Sequence, residues 1–405
     1  MPSELTATTA AGEHLVALAE SLAEEIAPHA GTHDREASFP FDSFAALKKH
    51  RFFTAPIPAE LGGLGVTSVH DVVVAAARLA RGDAALTIGV NMHLAYLLNI
   101  VRRWQVAVAA GDERRSRAFA GTLAEVARDD TVFAAAVSEL GQDLTRPRTT
   151  ATATEEGWIV SGRKAFCTMS PAADVAYATV TSVDRDGSTR FGYALIPLRW
   201  PGVVVHDDWD ALGMRASGSH SISFEDVRLP RGAVLGGFEL GDAVAYMDRT
   251  LNAGLLHAAA ALGVAEAADV FVRARLATRS DLDARTIVLA AENQLDLAAC
   301  RAVLARAALL VEEQHARNPA SAIPADDLTS LFGEVQSAKT VVGEAGVRVV
   351  DRALALSGGA GYLNGSPLAR AYRDVRATAF MHPLGANRAY AFLGELALGL
   401  EPTLH

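Results

Sequence analysis

Three histidines of this 405-residue chain could carry proton chemistry, because His93, His257 and His382 lie in or beside apolar helical stretches. A neutral imidazole in such a place can accept or donate a proton near pH 7. The alternative, a histidine whose hydrogen bonds are satisfied inside the core, stays open. The sequence contains no HExxH motif, His/Cys cluster or GxSxG motif, so neither a metal site nor a serine hydrolase is expected.

An aromatic and a hydroxyl residue follow a predicted turn in the stretch from Ser161 to Thr168. In a strand, Phe166 and Thr168 would share one face, where they could cover a flat heterocycle and donate a hydrogen bond to it. The simpler alternative is a core Phe beside a strand Thr. Further on, Gly358 and Gly359 could let the backbone approach a phosphate, but a helix-breaking turn explains these glycines equally well.

The elements that must position these residues change in character along the chain. Apolar residues at helical spacing run from Glu13 to about Arg128, and β-branched, alternating segments run from about Thr131 to Pro230. Three long helical stretches follow from about Gly241. The predicted fold class is therefore α+β, mostly α, with domains at 1–128, 129–236 and 237–405.

Composition and charge limit the possible functions. The net charge of -10 and the pI near 5.7 disfavour nucleic acid as a partner. Cys167 and Cys300 are the only cysteines and lie far apart, so a disulfide framework is not expected. The first twelve residues lack a signal-peptide pattern, and charged residues interrupt every apolar run before it could span a membrane. A soluble, cytoplasmic protein is expected.

Several segments, in order, resemble the acyl-CoA dehydrogenase family along nearly the whole chain. The resemblance implies an N-terminal helical domain, a middle β-barrel or sheet domain and a C-terminal four-helix bundle. The segments that resemble the family are Pro56 to Gly65 (PIPAELGGLG), Ala135 to Gly141 (AAVSELG), Ser161 to Thr168, Leu212 to Pro230, Ser357 to Tyr362, and Tyr372-Arg373-Asp374.

A flavin, FAD or FMN, is implied by this resemblance. Val137 and Ser138 would contact the pyrimidine side of the isoalloxazine ring, while Phe166 and Thr168 would flank its face and its N5 edge. The resemblance also implies a homotetramer, or a homodimer, and a phosphate-binding role for Gly358 and Gly359. It places the segment that holds Arg215 and Ser217 where the sheet meets flavin and substrate, although a polar turn between two strands is the alternative. The packing of the helix that carries Asn91 and Tyr96 would set the volume of the substrate pocket.

Two departures from the family pattern bear on the reaction. The glutamate base of the dehydrogenases falls on His382, and a second family location for that base aligns with Asp248. The Arg-x-x-Phe-Gly clamp for the adenosine half of FAD is absent around Arg273 to Ser280, and Ala355 replaces the usual Gln. Weaker anchoring of FAD is expected.

Three functional hypotheses follow. A monooxygenase of this fold would receive reduced flavin from a separate flavin reductase and oxygenate a small molecule, with His382 and His93 beside the flavin. A dehydrogenase would instead use His382 or Asp248 as the base for an acyl thioester, and would pass electrons to an electron-transfer flavoprotein. The third hypothesis is a catalytically silent homologue that serves as a binding protein.

Overall fold

The computed structural model describes residues 4–141 and 143–404, which form a helical part, a sheet and a second helical part in that order. The helices of the first part are α1 (Ala10–Glu36), α2 (Phe41–Lys49), α3 (Val69–Ala80), α4 (Ala84–Ala109) and α5 (Glu113–Asp129). Those of the second part are α6 (Ala243–Leu276), α7 (Ala284–Arg317), α8 (Ala325–Ser357), α9 (Pro367–Val375) and α10 (Ala386–Ala397). The predicted fold class is confirmed.

Side chains that cap helix N-termini fix where several helices begin. The Thr9 hydroxyl accepts a hydrogen bond from the Gly12 N–H, and Ser68 does the same for Asp71. Asp83 accepts from the N–H groups of Ala85 and Leu86. Each cap satisfies amide donors that the first helical turn leaves without a partner.

Two helices, α4 and α6, are long and apolar enough to cross a membrane by length and composition. Most of each apolar window is nevertheless buried inside the protein, 89% for α4 and 83% for α6. Here α6 packs against α3, α4, α7 and α8. Both are core helices of a soluble protein, since a helix that is apolar all round must be covered on every side.

The middle of the chain folds into one mixed sheet. Its strands are β1 (Phe133–Ala136), β2 (Thr150–Ala153), β3 (Gly157–Cys167), β4 (Val175–Val183), β5 (Thr189–Pro197), β6 (Val203–Val205), β7 (His220–Pro230) and β8 (Val234–Phe238). The strand order is β6-β7-β3-β2-β4-β5-β8, and β1 pairs with β4. The register of β3 against β7 shifts between Lys164 and Cys167, so the side chains there leave the regular alternation of a strand.

A buried carboxylate joins the first helical part to the second. Glu266 of α6 is 1% exposed and accepts hydrogen bonds from Arg81, directly after α3, at 2.7 Å and from Arg301 of α7 at 2.7 Å. Arg78 of α3 lies 3.6 Å away. Three guanidinium groups therefore share one carboxylate that water does not reach.

Replacing Glu266 with Ala should lower the free energy of unfolding by about 3 kcal/mol, because Arg301 would remain largely buried without its acceptor; Arg78 and Arg81 keep Glu4 as a partner. Chemical denaturation followed by circular dichroism measures this change. Glu334→Ala is the matched control, since Glu334 pairs with Arg306 on the exposed surface and its removal should change stability little. Equal losses in the two variants would contradict the assignment.

Candidate active site

The three parts of the chain meet at two consecutive residues of α9. Both guanidinium nitrogens of Arg373 bond the carboxylate of Asp34 in α1, at 2.8 and 2.5 Å. The carboxyl of Asp374 accepts a hydrogen bond from the Met214 N–H at 2.5 Å. A side chain at Gly213 would place its Cβ 2.2 Å from the Arg373 carbonyl oxygen, so only glycine permits this approach.

A cavity of about 290 Å³ opens beside this junction. Its walls come from α4, the end of β1, the end of β3, the 209–214 loop, α6 and the segment 373–382. The lining is mostly apolar, and its ionisable side chains are His257, His382, Arg373 and Arg376. Among the described residues, no Asp or Glu lines it. The cavity therefore has the size and apolar character of a ligand site but lacks a carboxylate base.

A buried ion pair shapes the wall that follows β1. The Lys164 ammonium, which is fully buried, donates to Glu139 at 2.6 Å and to the Thr179 hydroxyl at 3.0 Å. In turn, that hydroxyl donates to the Val137 carbonyl at 2.9 Å. Burial lowers the pKa of Lys164 to about 8, although the Glu139 charge opposes this shift. This network holds Val137 and Ser138, both of which line the cavity.

The predicted aromatic and hydroxyl pair lies on the same cavity wall. Phe166 has a φ of 57° and its side chain is 55% exposed, with the ring edge-on to Trp209 at 6.1 Å. A non-glycine residue in this left-handed region is uncommon and is retained at functional sites. The Thr168 hydroxyl accepts from Ser219 at 3.0 Å, and Ser219 in turn contacts Ser217 at 2.6 Å.

His382 also lines the cavity, on a loop fixed by a buried lysine. Lys339 of α8 donates to the carbonyl oxygens of Met381 and Leu384, the latter at 2.7 Å. The Tyr246 hydroxyl lies 3.2 Å from His382 Nδ1. Burial, reinforced by the neighbouring Lys339, lowers the pKa of His382 to about 3, so its imidazole is neutral at physiological pH.

The structure does not bring His93 and Asp248 to the cavity. His93 is fully buried, with Nε2 2.8 Å from the Phe53 carbonyl and Nδ1 accepting the Phe133 N–H at 3.1 Å. Both nitrogens therefore tie backbone segments together, as in the core-histidine alternative. Asp248 is exposed and lies 3.9 Å from Arg103, so it does not face the cavity.

Other predicted contacts also lie outside the cavity wall. Asn91 donates to the Leu256 carbonyl at 2.7 Å, while the Tyr96 ring stacks on Tyr177 at 4.6 Å. Arg215 donates to the Asp34 carbonyl and thereby anchors its loop. Ser217 reaches the cavity only through Ser219. The last two predicted positions, Gly358 and Gly359, lie in an exposed turn after α8.

Several cavity residues escaped the sequence analysis. Ile88 and Met92, one helical turn apart on α4, line the cavity in place of the predicted Asn91 and Tyr96. The i, i+4 spacing of these two apolar residues could have indicated that they lie on the same face of the helix. The other lining residues without a predicted role include Trp209, Arg376 and Phe380. His257, one of the three histidines singled out from the sequence, and Arg373, from the family motif, also line the cavity.

Comparison with known proteins identifies the family. Residues 13–105, 133–227 and 244–387 match the N-terminal, middle and C-terminal domains of acyl-CoA dehydrogenases. Amino sugar nitrososynthase RubN8 from Streptomyces rubradiris is 32% identical over 406 residues, covering 99% of this chain and 93% of the relative. The chain therefore belongs to the acyl-CoA dehydrogenase family.

Two solved structures with bound FMN are similar to this chain. The X-ray structure of KijD3 with FMN and dTDP-3-amino-2,3,6-trideoxy-4-keto-3-methyl-D-glucose has a TM-score of 0.89 and 32% identity, covering 98% of this chain and 96% of KijD3. FMN-bound TdsC from Paenibacillus sp. A11-2 has a TM-score of 0.83 and 25% identity, covering 96% and 98%. The prediction of a flavin-dependent oxidoreductase of the monooxygenase branch, using FAD or FMN, is confirmed.

The Asp374 carboxyl at the junction should make stability depend on pH. Burial raises its pKa from 3.8 to about 7, so the folded chain holds this proton more tightly than the unfolded chain. Its contribution to stability is complete below about pH 4 and is lost as the pH rises towards 7. The free energy of unfolding of the wild type minus that of Asp374→Asn should therefore fall by up to about 1.4 kcal/mol per pH unit in this window.

Denaturation of both proteins between pH 4.5 and 8 measures this difference. Asp186→Asn is the control, because Asp186 is exposed and its pKa is lowered, chiefly by hydrogen bonds from Ser188. Its difference from the wild type should stay constant over the same range. A difference for Asp374→Asn that increases with pH would instead mean that the ionised carboxylate stabilises the fold through Arg370.

Proposed function

We propose that this enzyme uses reduced flavin and oxygen to oxidise the amino group of a sugar carried on a nucleoside diphosphate. The observation that carries the proposal is the carboxylate-free lining of the main cavity within the described chain. A dehydrogenase needs a base there to take the α proton of its substrate, whereas oxygenation of an amine needs none. The similarity to RubN8 and to KijD3 with its amino-sugar nucleotide supports the choice of substrate class.

The residues of the cavity fit a flavin. Phe166 offers an exposed ring face, while Val137, Ser138 and Thr168 offer backbone and hydroxyl groups beside it. A second cavity of about 400 Å³ shares Ser138, Phe166, Phe380 and His382 with the first, which leaves room for a flavin and a substrate together. FMN is the form we propose, since KijD3 and TdsC bind it and the adenosine clamp of the family is absent here.

When bound in its reduced form, the flavin supplies two electrons and the means to activate oxygen. In the first round, the amine and O2 give a hydroxylamine and water as the flavin is oxidised. A second round converts the hydroxylamine to the nitroso compound; this round again consumes O2, two electrons and two protons, and it releases two waters, which makes three over both rounds. The apolar lining excludes bulk water, and His382 offers a neutral hydrogen-bonding group beside the reacting atoms.

Cationic side chains at the cavity suit the rest of the substrate. Arg373 and Arg376 both line it, and guanidinium groups bind the oxygens of a diphosphate in paired hydrogen bonds. Because Asp34 holds the Arg373 guanidinium, we propose that Arg376 receives the nucleotide diphosphate while the sugar enters the apolar interior. A separate flavin reductase supplies the electrons, and the protein works as a homotetramer or homodimer in the cytoplasm.

Purified protein with FMN, a flavin reductase and NADH should convert dTDP-3-amino-2,3,6-trideoxy-4-keto-3-methyl-D-glucose to oxidised products that are heavier by one oxygen atom at the first round. Mass spectrometry under 18O2 measures the incorporated label. As the matched test of the dehydrogenase hypothesis, acyl-CoA thioesters are added anaerobically to the flavin-loaded protein. Bleaching of the flavin by an acyl-CoA thioester, together with no 18O-labelled product from the amino sugar, would reject the proposal. Failure of the protein to bind flavin would favour the hypothesis of a catalytically silent homologue.

Replacing Phe166 with Ala should weaken FMN binding about 2- to 10-fold, because the ring loses its stacking surface. Quenching of flavin fluorescence on titration with protein measures the dissociation constant. Phe41→Ala is the control: Phe41 is also 55% exposed, but it packs against Phe39 outside the cavity. Equal affinities for the two variants would remove Phe166 from the flavin site.

A further inference from the structure

His257 differs from the other fully buried histidines of the described chain. It is 5% exposed and lies on α6 in the cavity wall. Its Nδ1 is buried without a hydrogen-bond partner in the described structure, whereas His93 uses both nitrogens and His70 pairs with Asp71. A buried polar atom without a partner is costly in free energy. Because His257 also lines the cavity, its ring is placed to hydrogen-bond a ligand there.

The groups around His257 keep its ring uncharged. Burial lowers the pKa of His257 well below its ordinary value, and the nearby Lys339 and His382 act in the same direction. Arg373 and Arg376 line the same cavity from the opposite helical segment. The imidazole therefore presents a neutral nitrogen that can accept a hydrogen bond.

The charged side chains beside the cavity distinguish a protonated amine from an uncharged one. A protonated amine would enter an apolar space beside the Arg376 guanidinium, with no carboxylate among the described lining residues to balance it; the charge of Arg373 is already paired with Asp34. An uncharged amine carries N–H donors for a neutral acceptor and retains its lone pair. Oxygenation at nitrogen consumes that lone pair, so the form that the cavity admits is also the reactive form.

We propose that His257 accepts a hydrogen bond from the uncharged amino group of the substrate. This inference rests on the proposed amino-sugar oxidation and assigns the residue that recognises the amine. His257 is thus a substrate-contacting residue in addition to His382. Its ring replaces the carboxylate that most sites use to bind an amine, and, being neutral, it lacks the charge attraction by which a carboxylate favours the ammonium form.

The test compares binding of two sugar nucleotides by calorimetry. They are dTDP-3-amino-2,3,6-trideoxy-4-keto-3-methyl-D-glucose and the same compound without its amino group. His257→Phe should bind the amino compound about 3- to 10-fold more weakly than the wild type, because one hydrogen bond is lost, and should bind the second compound equally well. His257→Asn, which keeps an acceptor near the position of Nδ1, should recover part of the affinity.

The pH dependence separates the charge states. Affinity of the wild type for the amino compound should increase about tenfold per pH unit below the pKa of its ammonium group, relative to the compound without the amine. Tighter binding of the amino compound at low pH, or equal losses of affinity for both compounds in His257→Phe, would overturn the inference. If the wild type binds the amine as expected but forms no oxygenated product, the proposed oxidation fails while the recognition of the amine by His257 stands.

Discussion

The hydrogen bonds made by Arg373 and Asp374 are the constraint on which the candidate site depends. One side chain holds α1 through Asp34, and the next holds the 209–214 loop through the Met214 N–H. Three parts of the chain that are far apart in sequence thus meet within two residues. The cavity is the space left beside this meeting point, so its walls keep their spacing only while both contacts persist.

Buried charges serve the same purpose elsewhere in the site. Lys164 fixes the segment after β1 through Glu139 and Thr179, while Lys339 fixes the loop that carries His382 through two carbonyl oxygens. Neither lysine is among the residues that line the main cavity. Both act on loops, whose backbone would otherwise sample many conformations. The two buried lysines therefore fix the backbone segments that present Ser138 and His382 to the cavity.

The fold followed from the sequence because its signals are local and ordered along the chain. The three long helical stretches predicted after about Gly241 agree with α6, α7 and α8. Phe166 and Thr168 were predicted on one strand face, and both line the cavity, although a register shift and a positive φ place them there instead of regular alternation. The motif was informative even though the geometry assumed for it was incomplete.

The sequence could not show in the same way which histidines are structural and which can bind a ligand. His93 is occupied by backbone groups of Phe53 and Phe133, each 40 residues away, and no local pattern reports such partners. His257 occurs in an apolar helical stretch much like that of His93, yet its nitrogens find no partner in the described structure. Only tertiary packing distinguishes a histidine that holds the core from one that is free to bind a ligand.

The exposed apolar side chains around the cavity have a consequence for the behaviour of the protein in solution. Phe166, Leu212 and Phe380 are 55%, 70% and 76% exposed around the cavity. In the proposed function a flavin reduced by another protein leaves and returns in each cycle, so this apolar surface would face water between turnovers. Contiguous apolar surface promotes self-association. Under that proposal, the supply of flavin would govern the tendency of the protein to aggregate as well as its rate.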